Sequence, residues 1–172
     1  MTRRAGARDL DALAPLYAAL LDHHAALDPA FALRPGARER LASSLARMLD
    51  DADAAVFVAE EAGRIEGFCA VRIERATGLL AEEARTEITE LGVRPERRRR
   101  GIGRALVRAA CEWAAERAAA RVEVRVAARN REGQAFWRAL GYEAFVDVLQ
   151  RRLEVPARGA SPAPRRESGS RT

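Results

Sequence analysis

The chain has 172 residues, 48% of them hydrophobic and 32% charged, with a formal net charge of +5. One globular domain is the natural reading of that length and composition, and no stretch approaches the run of about 20 apolar residues that spans a bilayer. All 30 basic residues are arginine, none is lysine, and alanine is abundant. Such a pairing reflects compositional bias, so the positive balance alone does not argue for a nucleic-acid partner.

From the N-terminus, the opening segment carries Asp9 and Asp11 and has no long apolar core, so no signal peptide is expected. Leu10, Leu13, Leu16, Leu20 and Leu21 share one helical stripe over positions 8 to 25. The same segment holds the only two histidines, His23 and His24, which form no metal-ligating set. Pro29 and Pro35 bracket a loop, and Leu41, Leu45 and Met48 mark a second helix from about Ala37 to Leu49. "AAVFVAE" and "IEGFCAVRIE" read as two strands joined by a tight turn at Ala62-Gly63. A third strand is expected from about Arg85 to Val93. The helix after it buries Ile102, Leu106, Ala109 and Trp113. Val122, Val124 and Val126 alternate with charged residues, as a strand does. A short helix starts at Asn130, and a last strand pair is expected over Ala144 to Val155. The residues from Pro156 onward have almost nothing apolar to bury and read as a disordered tail, 156–172, behind a domain over 1–155. Cys69 and Cys111 lie far apart in apolar surroundings. They are expected as free thiols in a reducing compartment, the cytoplasm. The element order predicts an α/β fold with a mixed sheet, antiparallel early and parallel at the strand-helix-strand crossover.

The stretch "VRPERRRRGIGRALV" carries the functional question. A dinucleotide fingerprint needs a glycine where Leu106 stands, and a Walker-type loop needs a lysine, so both fail. An anion cradle remains. Gly101 and Gly103 leave room for a ligand, the first helical amides point outward, and the arginines add charge-assisted hydrogen bonds. The plain alternative is a solvated arginine run with glycines in a tight turn.

Two motifs go further. "ELGVRPERRRRGIGRALV" resembles the acyl-CoA-binding motif of the GCN5-related N-acetyltransferases, with Arg98, Gly101 and Gly103 at the motif positions. "NREGQAFWRALGY" resembles that family's second signature, with Asn130, Phe136 and Gly141 matching. The resemblance implies a GNAT fold of about six to seven strands and four helices, with splayed parallel strands around acetyl-CoA. It implies that backbone groups of Leu91, Gly92 and Val93 meet the pantetheine arm, much as an added strand would. The pyrophosphate would be wrapped by Arg98, Arg99, Arg100, Gly101, Ile102, Gly103 and Arg104. Asn130, Phe136 and Trp137 would lie on the cofactor from the next helix, Asn130 serving also as N-cap.

The implied reaction is direct acyl transfer from the thioester to an amine. Glu90 is the first candidate for the base and Glu87 the second, because family members often carry an acidic residue there. Trp137 departs from the family, which often has a tyrosine whose hydroxyl protonates the leaving thiolate; an indole N–H has no useful acidity. The acidic pair favours a cationic acceptor: an aminoglycoside, a polyamine, an amino acid, a peptide N-terminus or a lysine. No metal, membrane or nucleic-acid partner is expected, and a homodimer is left open. Two other functions compete: a catalytically silent acyl-CoA-binding module, motivated by Trp137, and a nucleic-acid binder using Arg97 to Arg100. The second lacks the aromatic residues that stack on bases.

Overall fold

The computed structural model describes residues 1–76, 78, 81, 84–151 and 153. In chain order the elements are β1 (Thr2–Arg4), α1 (Leu10–Leu27), α2 (Leu41–Asp50), β2 (Ala54–Glu61), β3 (Arg64–Arg75), β4 (Ala84–Val93), α3 (Ile102–Ala115), β5 (Val122–Val124) and α4 (Arg131–Ala139). The strands form one sheet in sequence order. Pairing is antiparallel from β1 to β4 and parallel between β4 and β5, across the α3 crossover.

β2 and β3 are covered on both faces, which explains why their sequences read as nearly continuous apolar runs. On one face α1 and α2 place Leu13, Leu16 and Leu45 against Val56, Val58, Phe68 and Ala70. On the other, α3 and α4 place Leu106, Val107, Ala110, Trp113 and Trp137 against Phe57, Cys69, Val71 and Ile88. The β2–β3 hairpin turns through Ala62 and Gly63, both at positive φ, the handedness that matches the twist of the flanking strands. Both cysteines are free, with Cys69 buried and Cys111 half-buried.

Three expectations change. β1 carries no apolar alternation and was not foreseen. It is held by Arg3, which makes two hydrogen bonds of 2.8 Å to Asp9 and two more to Glu60 at 2.9 and 2.7 Å. Hydrogen bonding from Arg3 and from the Gly6 amide holds the buried Asp9 carboxyl down to about 2. The strand expected over residues 121–127 shrinks to β5, because its ladder reaches only Thr86, Glu87 and Ile88 of β4. Where the last strand pair is expected, the described residues 143–151 and 153 contain no strand, and Phe145, Val146, Val148, Leu149 and Leu153 are exposed; residues 152, 154 and 155 lie outside the described residues. Alternation prepares a segment for a sheet, but a ladder partner has to complete it. The sheet therefore has five strands rather than six or seven among the described residues. Met1–Tyr142 form one compact unit. The expected tail, 156–172, lies outside the described residues.

Candidate active site

β4 is the strand around which the site is built. Its ladder with β3 runs the full length of β4, whereas its ladder with β5 stops at Ile88 and Val124. From Thr89 to Val93, one edge of β4 is therefore without a strand neighbour among the described residues. The Arg94 amide donates to the Glu66 carbonyl at 2.9 Å, on the β3 side. By alternation, the backbone groups of Val93 and Leu91 point the opposite way, into the gap, and those of Gly92 point to β3.

A β-bulge sits at the start of this gap. Val71 lies opposite Ile88 and Ala70 opposite Glu90, so Thr89 is the extra residue. Glu87 and Glu90 are three apart and in a regular strand would face opposite ways. The bulge turns both to the α1 side: Glu87 is across from Arg72, and Glu90 is across from Ala70, which packs with the α1 cluster.

Their surroundings differ. Glu87 pairs with Arg125 at 3.3 Å. Glu90 has no cation partner among the described residues. Its Oε1 accepts a hydrogen bond from the Tyr17 hydroxyl of α1 at 3.2 Å, and its Oε2 is buried with no partner. Burial pushes the Glu90 carboxyl up to about 7, against the lowering effect of the Tyr17 hydrogen bond. Burial and the neighbouring carboxylate raise Tyr17 in turn, so it stays a neutral donor.

The arginine-glycine loop follows the C-terminal end of β4, a few residues beyond Glu90. Arg99 and Gly101 have φ of 61° and 79°, and a Cβ on Gly101 would meet nothing within 4 Å. Left-handed backbone followed by a helix start turns successive amides outward. The first helical amide with a partner is that of Ala105, donating to the Gly101 carbonyl at 3.0 Å. The amides of Ile102, Gly103 and Arg104 are left for a ligand. Arg99, Arg100 and Arg104 are exposed. Arg98 reaches back to the Val93 carbonyl at 3.3 Å and lies 3.7 Å from Glu132. A cleft of about 350 Å³, lined in part by Arg97, Arg100, Gly101 and Ala105, opens beside the loop. Arg97 itself is engaged with Glu61 and Glu66.

Asn130 caps α4, its Oδ1 accepting from the Gly133 amide at 2.8 Å. Phe136 lies against Gly103, where a Cβ would stand 3.2 Å from two ring carbons. That glycine therefore admits α4 against α3. Trp137 is a buried core residue, edge-on to Phe136 and Tyr142. Tyr142 is half-buried with its hydroxyl 3.7 Å from the Cys111 sulfur, and burial raises its pKa. On the α1 side, Asp28 begins the loop after α1 and lies 3.5 Å from Arg129 of the segment before α4. His24, half-buried near Phe31, is lowered by burial and by His23.

A fold with a mixed sheet opening between β4 and β5, and an amide-lined helix start below the opening, can be compared with known proteins. The pattern described as "Acetyltransferase (GNAT) family" matches residues 18–142. The chain belongs to the GNAT acetyltransferase family. Solved structures carry the same fold at low identity. A tetramutant of the BH1408 protein from Bacillus halodurans superposes with a TM-score of 0.79 at 20% identity, over 89% of this chain and 99% of that one. The aminoglycoside N-acetyltransferase AAC(6')-Iy, in complex with CoA, gives 0.72 at 20% identity, over 90% and 95%. A ribosomal-protein-alanine N-acetyltransferase from Brucella melitensis biovar Abortus 2308 gives 0.66 at 19%, over 89% and 99%. No curated protein sequence matches the chain.

The co-substrate of this GNAT family is acetyl-CoA, and the residues present fit it. The open Gly101 backbone, the unpartnered amides of residues 102 to 104 and the flanking arginines suit a pyrophosphate. The free edge of β4 suits an amide-bearing arm. Tyr17 was not singled out from the sequence. Its only local signal is its place on the leucine-striped face of α1, which is also what a core residue shows.

Proposed function

We propose that the protein is an N-acetyltransferase that moves an acetyl group from acetyl-CoA to a primary amine of a small molecule or peptide, with Glu90 as base. The observation that carries this reading is the buried, unpartnered Oε2 of Glu90, one residue before backbone that faces the β4–β5 gap. A carboxyl held near 7 is half ionised at neutral pH, where a general base works well. Glu90 takes the proton from the attacking amine. The Leu91 amide, free of a ladder partner on the gap side, donates to the thioester oxygen as it gains charge. The amides of residues 102 to 104 and the loop arginines hold the pyrophosphate. Asn130 and Phe136 border it from α4, and Trp137 supports them from the core.

No side-chain acid for the thiolate is assigned. Trp137 is packed in the core and has no acidic proton, and burial raises Tyr142. Water serves the leaving thiolate instead. Glu87 is the reserve base, held back by its pairing with Arg125. The acceptor approaches on the α1 side of β4, where both carboxylates lie, which favours a cationic amine. The aminoglycoside and ribosomal-protein enzymes among the structural neighbours exemplify two acceptor classes that such a site suits. The proposed compartment is the cytoplasm, in keeping with two free thiols.

Free-thiol release from acetyl-CoA, assayed across aminoglycosides, polyamines, amino acids and peptides, tests the reading. Amine-dependent release is expected. Acetyl-CoA binding without release for any amine would instead make the protein a silent acyl-CoA-binding module.

A further inference from the structure

The Tyr17–Glu90 contact joins residues 73 positions apart, across the interface between α1 and the sheet. Tyr17 is held for this contact from a second direction. Its ring stands edge-on to Phe68, centroids 5.9 Å apart and planes at 88°, and Phe68 is fully buried. The ring cannot turn away without giving up that packing, so the hydroxyl is fixed over one carboxylate oxygen. The other oxygen, Oε2, has no donor among the described residues.

We propose that Tyr17 is the positioning residue of Glu90: its hydroxyl binds Oε1, fixes the orientation of the carboxyl and supports its ionised form inside the interface. The inference rests on the proposed role of Glu90 and deepens it. A buried carboxyl with no partner would remain protonated at neutral pH and could not act as a base. A neutral donor to the ionised form offsets part of that burial without adding a cation that would repel a charged amine. Other charges on this face are engaged elsewhere. Arg72 of β3 pairs with Asp51 at 2.9 Å, and Glu87 of β4 pairs with Arg125 after β5. Further along α1, His24 packs near Phe31.

The test compares the parent with Tyr17→Phe, which keeps the ring against Phe68 and removes only the donor. Carbon-13 NMR of labelled glutamate carboxyls follows the titration in the free protein, and Glu90→Gln assigns the resonance by its disappearance. The Glu90 midpoint is expected to rise by about one pH unit in Tyr17→Phe, the size of a hydrogen bond to a charged group. With an accepted amine, the acid limb of kcat should move up by the same amount, and the lost rate should return at alkaline pH. Acetyl-CoA affinity, measured by calorimetry, should not change. A midpoint that stays or falls in Tyr17→Phe overturns the proposal, since a tyrosine kept only for packing would leave it in place. An acid limb that keeps its midpoint near 7 in Glu90→Gln overturns the base reading itself. The NMR titration needs no substrate, so the two failures are distinguishable.

Discussion

The bulge of β4 and the loop that follows the strand are built on opposite principles. The arginine-glycine loop is largely exposed and made of consecutive residues, and its proposed contacts are backbone amides. At the bulge, Glu90 is half-buried, its proposed role is that of a side chain, and among the described residues its carboxyl takes its hydrogen bond from α1. An anion cradle can be written into one short segment, because successive amides are already neighbours. A tuned carboxyl cannot, because its acidity comes from burial and from partners brought by distant segments. Changes in the loop should therefore alter binding, and changes around Glu90 should alter the rate and its pH dependence.

The largest expected effect is that of Glu90→Gln. With a good amine, kcat should fall by roughly 100-fold or more, while calorimetry shows unchanged acetyl-CoA affinity. In the parent, activity should rise as pH climbs through about 7 and Glu90 loses its proton. That limb should vanish in the variant, and the deficit should shrink at high pH, where more amine is already neutral. A rise in KM with kcat intact would make Glu90 an anchor for the acceptor rather than a base.

Stability provides a second handle on the same group. Folded Glu90 holds its proton more tightly than the unfolded chain does. Its contribution is fully present below the ordinary glutamate range and is lost as pH rises through about 7. Melting temperature should follow that decline in the parent and be flatter with pH in Glu90→Gln.

Gly101→Val probes the arginine-glycine loop. A β-branched residue at φ of 79° costs about 1–2 kcal/mol of backbone strain and crowds the cradle. Acetyl-CoA affinity should weaken on the order of 50-fold, as expected when a few charge-assisted bonds are lost. Unchanged affinity would remove the loop from the binding site. Gly103 is a poorer probe, because a side chain there would strike Phe136 and disturb the packing of α4.

Arg98→Ala should weaken acetyl-CoA by about 10-fold, the loss of one charge-assisted contact. A smaller loss, with a fall in melting temperature, would show that Arg98 mainly ties Val93 to Glu132. The smallest effect is expected from truncation after Val155. If the domain runs over 1–155 and the rest is a polar tail, melting temperature and acetyl-CoA affinity should both stay within error.

The sequence by itself determined α1, α2, the β2–β3 hairpin, β4, α3 and α4, because each carries its period and its stop signals within its own residues. It also determined the loop from Arg98 to Arg104, whose glycines and arginines are consecutive, and Asn130 as the cap of α4. Tertiary structure decided what depends on pairing. β1 exists because Arg3 reaches Asp9 and Glu60, and β5 is short because β4 parts from it after Ile88. The described residues 143–151 and 153 contain no strand, although Phe145, Val146, Val148 and Leu149 are apolar. The bulge at Thr89 set Glu87 and Glu90 on one face, where spacing alone puts them on two. Tyr17 reached the site for the same reason: a helix stripe records which residues turn inward, and only the packed sheet determines what they meet.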